Sequence, residues 1–100
     1  MTTTTPTPAL PNVPVVGDFV SGYETSGWLG LGAPKNTAAD IVNKLNRDIN
    51  AAIADPNIGA RLADLGNAAF GGSPADFAKH IIEETEKWRK VIRAAGIKPE

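Results

Sequence analysis

The sequence predicts a helix-rich α/β unit, three amphipathic helices with two or three short strands. Three observations predict it. Phe77, Ala78, Ile81, Thr85, Trp88, Ile92 and Ala95 recur at steps of three and four, which sets them on one helical face. Ala38, Ile41, Val42, Leu45, Ile49, Ala52 and Ile53 form a second such stripe, with Lys44, Arg47, Asp48 and Asn50 outside it. Gly27 to Ala33 (GWLGLGA) is short, apolar and bounded by turn residues, as a strand is.

Taken in order, residues 1–12 (MTTTTPTPALPN) are a Thr/Pro-rich stretch too poor in large apolar side chains to fold alone, and are expected to form a flexible tail. Residues 13–100 are the folded part. Val13 to Val20 is apolar but interrupted by Pro14 and Gly17, so it reads as an edge strand or an extended connector. A turn follows at Ser21–Glu24. Gly27–Ala33 is the best strand candidate, although its glycines weaken a strand unless another backbone approaches closely. Thr37 is placed to start the first long helix, with Asp40 at the capping-box position. Asp55-Pro56 ends that helix and opens the next, with Asp55 as N-cap and Pro56 at the first helical position. Ile58, Leu62 and Leu65 line this short helix and Gly66 closes it. Asn67–Gly72 is a short strand or a connection anchored by Phe70. Ser73, Pro74 and Asp76 then form a helix start, and Gly96 with Ile97 a Schellman-type stop, so the last helix runs between them.

The totals narrow the function. Of the 42% apolar residues, 15 are alanine, which leaves material for one thin core. A net charge of −1 argues against a nucleic-acid surface, which needs a basic excess. With no cysteine and one histidine, a thiolate nucleophile, a disulfide and a multi-histidine zinc site are all excluded within the chain. No apolar run reaches the length of a membrane span, so no direct membrane insertion is expected. The N-terminus lacks the basic and apolar regions of a secretory signal.

Candidate chemistry is sparse. Gly27–Gly32 followed by Lys35 suggests a phosphate loop, but Ala33-Pro34 separate the glycine from the lysine that such a loop needs in succession. Ser73 and His80 lie nearly two turns apart on one helix, where Ser73 serves better as a cap and no third group orients the imidazole; His80 is placed four residues after Asp76. Glu83, Glu84 and Glu86 could suggest a carboxylate pair for catalysis, but Glu83–Lys87 and Glu86–Lys90 have the spacing of surface ion pairs. Lys87, Arg89, Lys90 and Arg93 around Trp88 suit a helix C-terminus, where the dipole favours cations. The residues therefore predict neither an enzyme nor a cofactor.

From Val13 onward the order of features resembles the Bug-type solute receptors of tripartite tricarboxylate transporters. The match is carried by Val13-Pro14, Gly22-Tyr23-Glu24, Trp28-x-Gly30 with Ala33-Pro34, and Ile41-Val42-x-x-Leu45-Asn46. It continues through Ala54-Asp55-Pro56, Leu65-Gly66, Gly72-Ser73-Pro74-x-x-Phe77, Trp88, Val91-Ile92 and Ala95-Gly96-Ile97-Lys98. The chain departs from the family pattern at Val15-Val16-Gly17-Asp18 and at Ala38. The resemblance implies the C-terminal segment of a two-lobed periplasmic binding protein that closes on a small carboxylated solute and delivers it to a membrane permease. It nominates Ser26 and Trp28 as the residues near solute. It also implies that this segment binds carboxylates poorly alone and that its uncovered apolar faces self-associate. The competing expectation is a stand-alone interaction module whose same faces dock onto another protein chain.

Overall fold

The computed structural model describes residues 1–7 and 9–98. A single 3-10 turn at Val16–Asp18 precedes three helices, α1 (Ala39–Ile53), α2 (Pro56–Asp64) and α3 (Pro74–Ala94). Their ends are built as the sequence requires. Asp55 caps α2 by accepting a 2.8 Å hydrogen bond from the Asn57 N–H, with Pro56 in the first turn. Gly66, at φ 74°, closes α2, with the Gly66 and Asn67 N–H groups donating to Ala63 and Leu62. Ser73 and Asp76 form a reciprocal capping box at the start of α3, with bonds of 3.1 and 2.8 Å. At its other end Gly96 (φ 66°) donates to Arg93 and Ile97 to Ile92, a complete Schellman motif.

The start of α1 differs from expectation. The helix begins at Ala39 and its N-cap is Ala38, which has no side chain to offer. The Thr37 hydroxyl instead donates to the Pro34 carbonyl at 2.8 Å, closing a turn in which Asn36 takes a positive φ of 69°. The turn that follows Ala33-Pro34 thus holds the hydroxyl whose oxygen the sequence offered to the helix as a cap acceptor. Asp40 stays in the first turn, where its charge suits the helix dipole.

The predicted strands are absent among the described residues, so the chain is helical and the helix-rich α/β expectation is corrected. Val13–Val20 contains the 3-10 turn, and Gly27–Ala33 and Asn67–Gly72 carry no ladder. The physical reason is that a strand is defined by its neighbour. Among the described residues, no backbone hydrogen bond joins residues 27–33 to another segment. The side chains nevertheless alternate: Trp28 and Gly30 meet α3, while Leu29 and Leu31 are 95% and 74% exposed. Phe70, expected to anchor its segment, is 88% exposed.

Contacts between elements join α1 to α2 and α1 to α3. Beyond the helices, Met1 donates its amine to the Pro14 carbonyl and the Thr25 N–H donates to Thr2, which brings the first residues beside 14–25. Val15 beneath them is the one buried hydrophobic among the described residues. The Cα radius of gyration, 16.6 Å, exceeds the roughly 13 Å of a compact chain of this length. The three helices form an open layer, and their apolar stripes remain partly uncovered. No helix among the described residues is long and apolar enough to cross a membrane.

Candidate functional site: the 24–30 segment on helix α3

The longest-range side-chain contacts converge where residues 24–30 lie against α3. Lys87, on α3, donates to the Glu24 carboxylate at 2.9 Å and pairs with Glu84 at 2.6 Å. Glu24 also accepts a 2.8 Å hydrogen bond from the Ser26 hydroxyl, and Glu84 accepts one of 3.0 Å from the Trp88 indole. The Lys87 ammonium lies 5.5 Å from the Trp88 ring centroid, within cation–π range. The result is one chain of polar contacts, Ser26–Glu24–Lys87–Glu84–Trp88, that straps the segment to the helix.

Trp28 is held by packing. Its ring meets Phe77 edge-on at 5.5 Å and His80 at 5.1 Å. Gly30 lets the Phe77 ring come so close that any side chain would collide with it. The glycine in this apolar run therefore admits an aromatic side chain.

The electrostatics follow from the strap. The hydrogen bond from Lys87, helped by Ser26, holds the Glu24 carboxyl below its ordinary value. Lys87 likewise lowers Glu84, with Trp88 assisting. In return Glu84 and Glu24 hold the Lys87 ammonium above the usual lysine range.

The two nominated solute residues, Ser26 and Trp28, sit in this one face and are tied to α3, Ser26 through Glu24 and Trp28 through Phe77 and His80. The other candidates are dispersed. Lys35 lies beyond the 27–33 segment and before α1, with no helix start behind the glycines. The Ser73 hydroxyl is committed to Asp76, at 2.6 Å, and His80 packs on Trp28. Glu83 pairs with Lys79 at 3.7 Å and Glu86 with Arg89, so the carboxylates are in surface ion pairs, although not with the expected Lys87 and Lys90. Among the described residues no group of three or more His, Asp or Glu side chains is placed to hold a metal ion.

Sequence reasoning missed two features. The first is Glu24–Lys87, a pair 63 residues apart that no local spacing signals. The second is the corner before α3, where Asn46 and Asn50 donate to the Gly72 carbonyl at 2.8 and 2.9 Å and Asn50 accepts from the Gly72 N–H at 3.1 Å. A visible signal was the pair of asparagines four apart on one side of α1, poor helix formers that need a reason to be there.

Residues 2–97 match the family described as the tripartite tricarboxylate transporter family receptor, and the chain belongs to that family. It is 40% identical over 87 residues to the UPF0065 protein in the tcbD-tcbE intergenic region of a Pseudomonas species, covering 85% of this chain and 26% of that protein. It is 32% identical over 94 residues to the UPF0065 protein in the clcB-clcD intergenic region of Pseudomonas knackmussii, covering 92% of this chain and 56% of that protein. Protein BugT of Bordetella pertussis is 31% identical over 93 residues, covering 91% of this chain and 27% of BugT. The chain thus spans about a quarter to a half of these relatives' length. No solved structure matches it.

Proposed function

We propose that this chain is the C-terminal segment of a Bug-type solute-binding receptor, with residues 13–100 forming the folded part behind the 1–12 tail. In the complete two-lobed receptor it contributes to capture of a small carboxylated solute in the periplasm and to delivery of that solute to a membrane permease. The role is binding and involves no catalytic step. Ser26 and Trp28 are the residues nearest solute. Their attachment to α3 through Glu24–Lys87 and Phe77 would transmit the position of the helix to the solute side.

The observation that carries this reading is the family match over residues 2–97, found in a chain that buries only one hydrophobic residue among those described. Surfaces so little covered suit a segment that packs against further polypeptide. Isothermal calorimetry of the chain against di- and tricarboxylates tests it. The expected result is no measurable heat of binding from the chain alone, and one-to-one binding once it is joined to the remainder of a full-length relative. Tight one-to-one binding by the chain alone would overturn the segment reading. Failure of the joined protein to bind any carboxylate would overturn the solute class.

A further inference from the structure

We propose that α3 is a self-complementary docking face on which a second copy of this chain binds antiparallel. Ala78, Ile81, Thr85, Trp88, Ile92 and Ala95 follow a strict alternation of three and four residues, the spacing of a coiled-coil seam. The seam complements itself when reversed, like on like in its outer layers and large on small at its centre. Turned end for end about the point between Glu86 and Lys87, it places Ala78 on Ala95, Ile81 on Ile92 and Thr85 beside Trp88. A two-fold axis repeats each of these contacts, i on j and j on i, as an interface between identical surfaces must.

The charges agree with the same direction. All four acidic residues of α3 (Asp76, Glu83, Glu84 and Glu86) precede Lys87, and Lys87, Arg89, Lys90 and Arg93 crowd its last turns. An antiparallel copy sets each acidic half against a basic half and opposes the two helix dipoles, whereas a parallel copy stacks like on like. The face is also available. Ile81 and Trp88 are 40% exposed and Ile92 is 44% exposed, although all three lie on the apolar stripe. The C-terminal half of the seam floors an open groove that Trp28, Arg89 and Arg93 also line, so the segment strapped to α3 stands beside the seam and leaves it open.

Sedimentation equilibrium and cysteine cross-linking on the full chain test the proposal. The wild-type chain should run as a dimer of the 10.5 kDa protomer at micromolar to submillimolar concentration. Ile92→Asp should raise the dissociation constant at least about tenfold, a change of about 1.4 kcal/mol, with helical circular dichroism retained. The absence of native cysteine gives a clean background for orientation. An equimolar mixture of the A78C and A95C chains should form the mixed disulfide in preference to either homodisulfide. A monomer at all concentrations, an Ile92→Asp chain that dimerises as before, or preferential A78C–A78C bridges would each overturn the proposal. The cross-linking arm uses small surface substitutions, so it decides the matter even if the aspartate variant unfolds.

Discussion

Replacing Gly30 by alanine should dislodge Trp28 from α3, and the size of the effect can be worked from the geometry. A Cβ at position 30 would stand 2.7 and 2.9 Å from Phe77 Cε2 and Cε1, and closer still to Cζ. Unstrained carbon–carbon contacts sit near 3.5–4.0 Å, so the ring or the segment must retreat by about 1.5 Å to free Cζ. Gly30 is not among the glycines of positive φ, so backbone strain contributes nothing and the destabilising part of the effect comes from this contact. Overpacking of this kind costs about 1–3 kcal/mol, and within that lies the edge-on Trp28–Phe77 contact, worth about 0.5–1.5 kcal/mol. Trp28 and Trp88 are the chain's two tryptophans, so Trp28 fluorescence in a Trp88→Phe background reports the site directly. The Gly30→Ala chain should show a red-shifted Trp28 emission and an earlier urea midpoint. A double-mutant cycle supplies the control: in a Phe77→Ala background, where the ring is gone, Gly30→Ala should cost almost nothing. An equal cost in both backgrounds, or an unmoved Trp28 emission, would refute the clash as the mechanism.

Acidification should loosen the same attachment. Glu24 has a folded-state pKa lowered below 4.5, chiefly by the Lys87 hydrogen bond, so its contribution is present above that value and lost as pH falls through the lowered one. Lys87, raised above 10.5, contributes below that value and loses its part as pH rises through the raised one. Trp28 emission followed from pH 7 to 2 should show a step that disappears in Lys87→Met; a step of equal size in that variant would exclude the strap as its cause. Ser73→Ala removes the α3 cap and should lower helix stability by about 1 kcal/mol, read as loss of ellipticity at 222 nm on heating; no loss would show that the capping box does not limit α3. Asn50→Ala removes two hydrogen bonds to Gly72, each worth about 0.5–1.5 kcal/mol. Amide exchange at Gly72 should accelerate accordingly, and unchanged exchange would refute the clamp.

The helices were legible in the sequence because their signals are local. Asp55-Pro56, Ser73-Pro74 with Asp76, Gly66 and Gly96 each act within one turn of the residue they cap, and each behaves as the residue types dictate. Thr37 shows the limit of such signals: its hydroxyl donates to the Pro34 carbonyl within the preceding turn, and the helix is capped one residue later, at Ala38, without a side-chain bond. The strands failed for a different reason. Glycine and alternating leucines describe a surface a strand could present, but a ladder needs a second backbone. Within the site, Trp28 was nominated through resemblance, while its partners Phe77 and His80 were not, because aromatic packing between residues so distant in the chain leaves no spacing to read. Glu83 and Glu86 were read rightly as paired surface carboxylates and wrongly as to partner, because several cations stand within reach of each on one helix.

What holds the open arrangement together is mostly polar and directional. The Asn46 and Asn50 amides fix the corner before α3, and Lys87 fixes the 24–30 segment on the helix, both by hydrogen bonds that need particular atoms in particular places. Apolar burial, normally the main driving force of folding, is largely unrealised here because so many large side chains stay exposed. Polar contacts specify geometry well but contribute little net stability when solvent can reach them. The chain is therefore oriented more strongly than it is stabilised. Covering the α3 seam should follow from this as a stabilising event: it adds burial to elements already held in register, so little further ordering is needed to gain it. Its mark would be a melting temperature that rises with protein concentration in the wild type and is flat in Ile92→Asp.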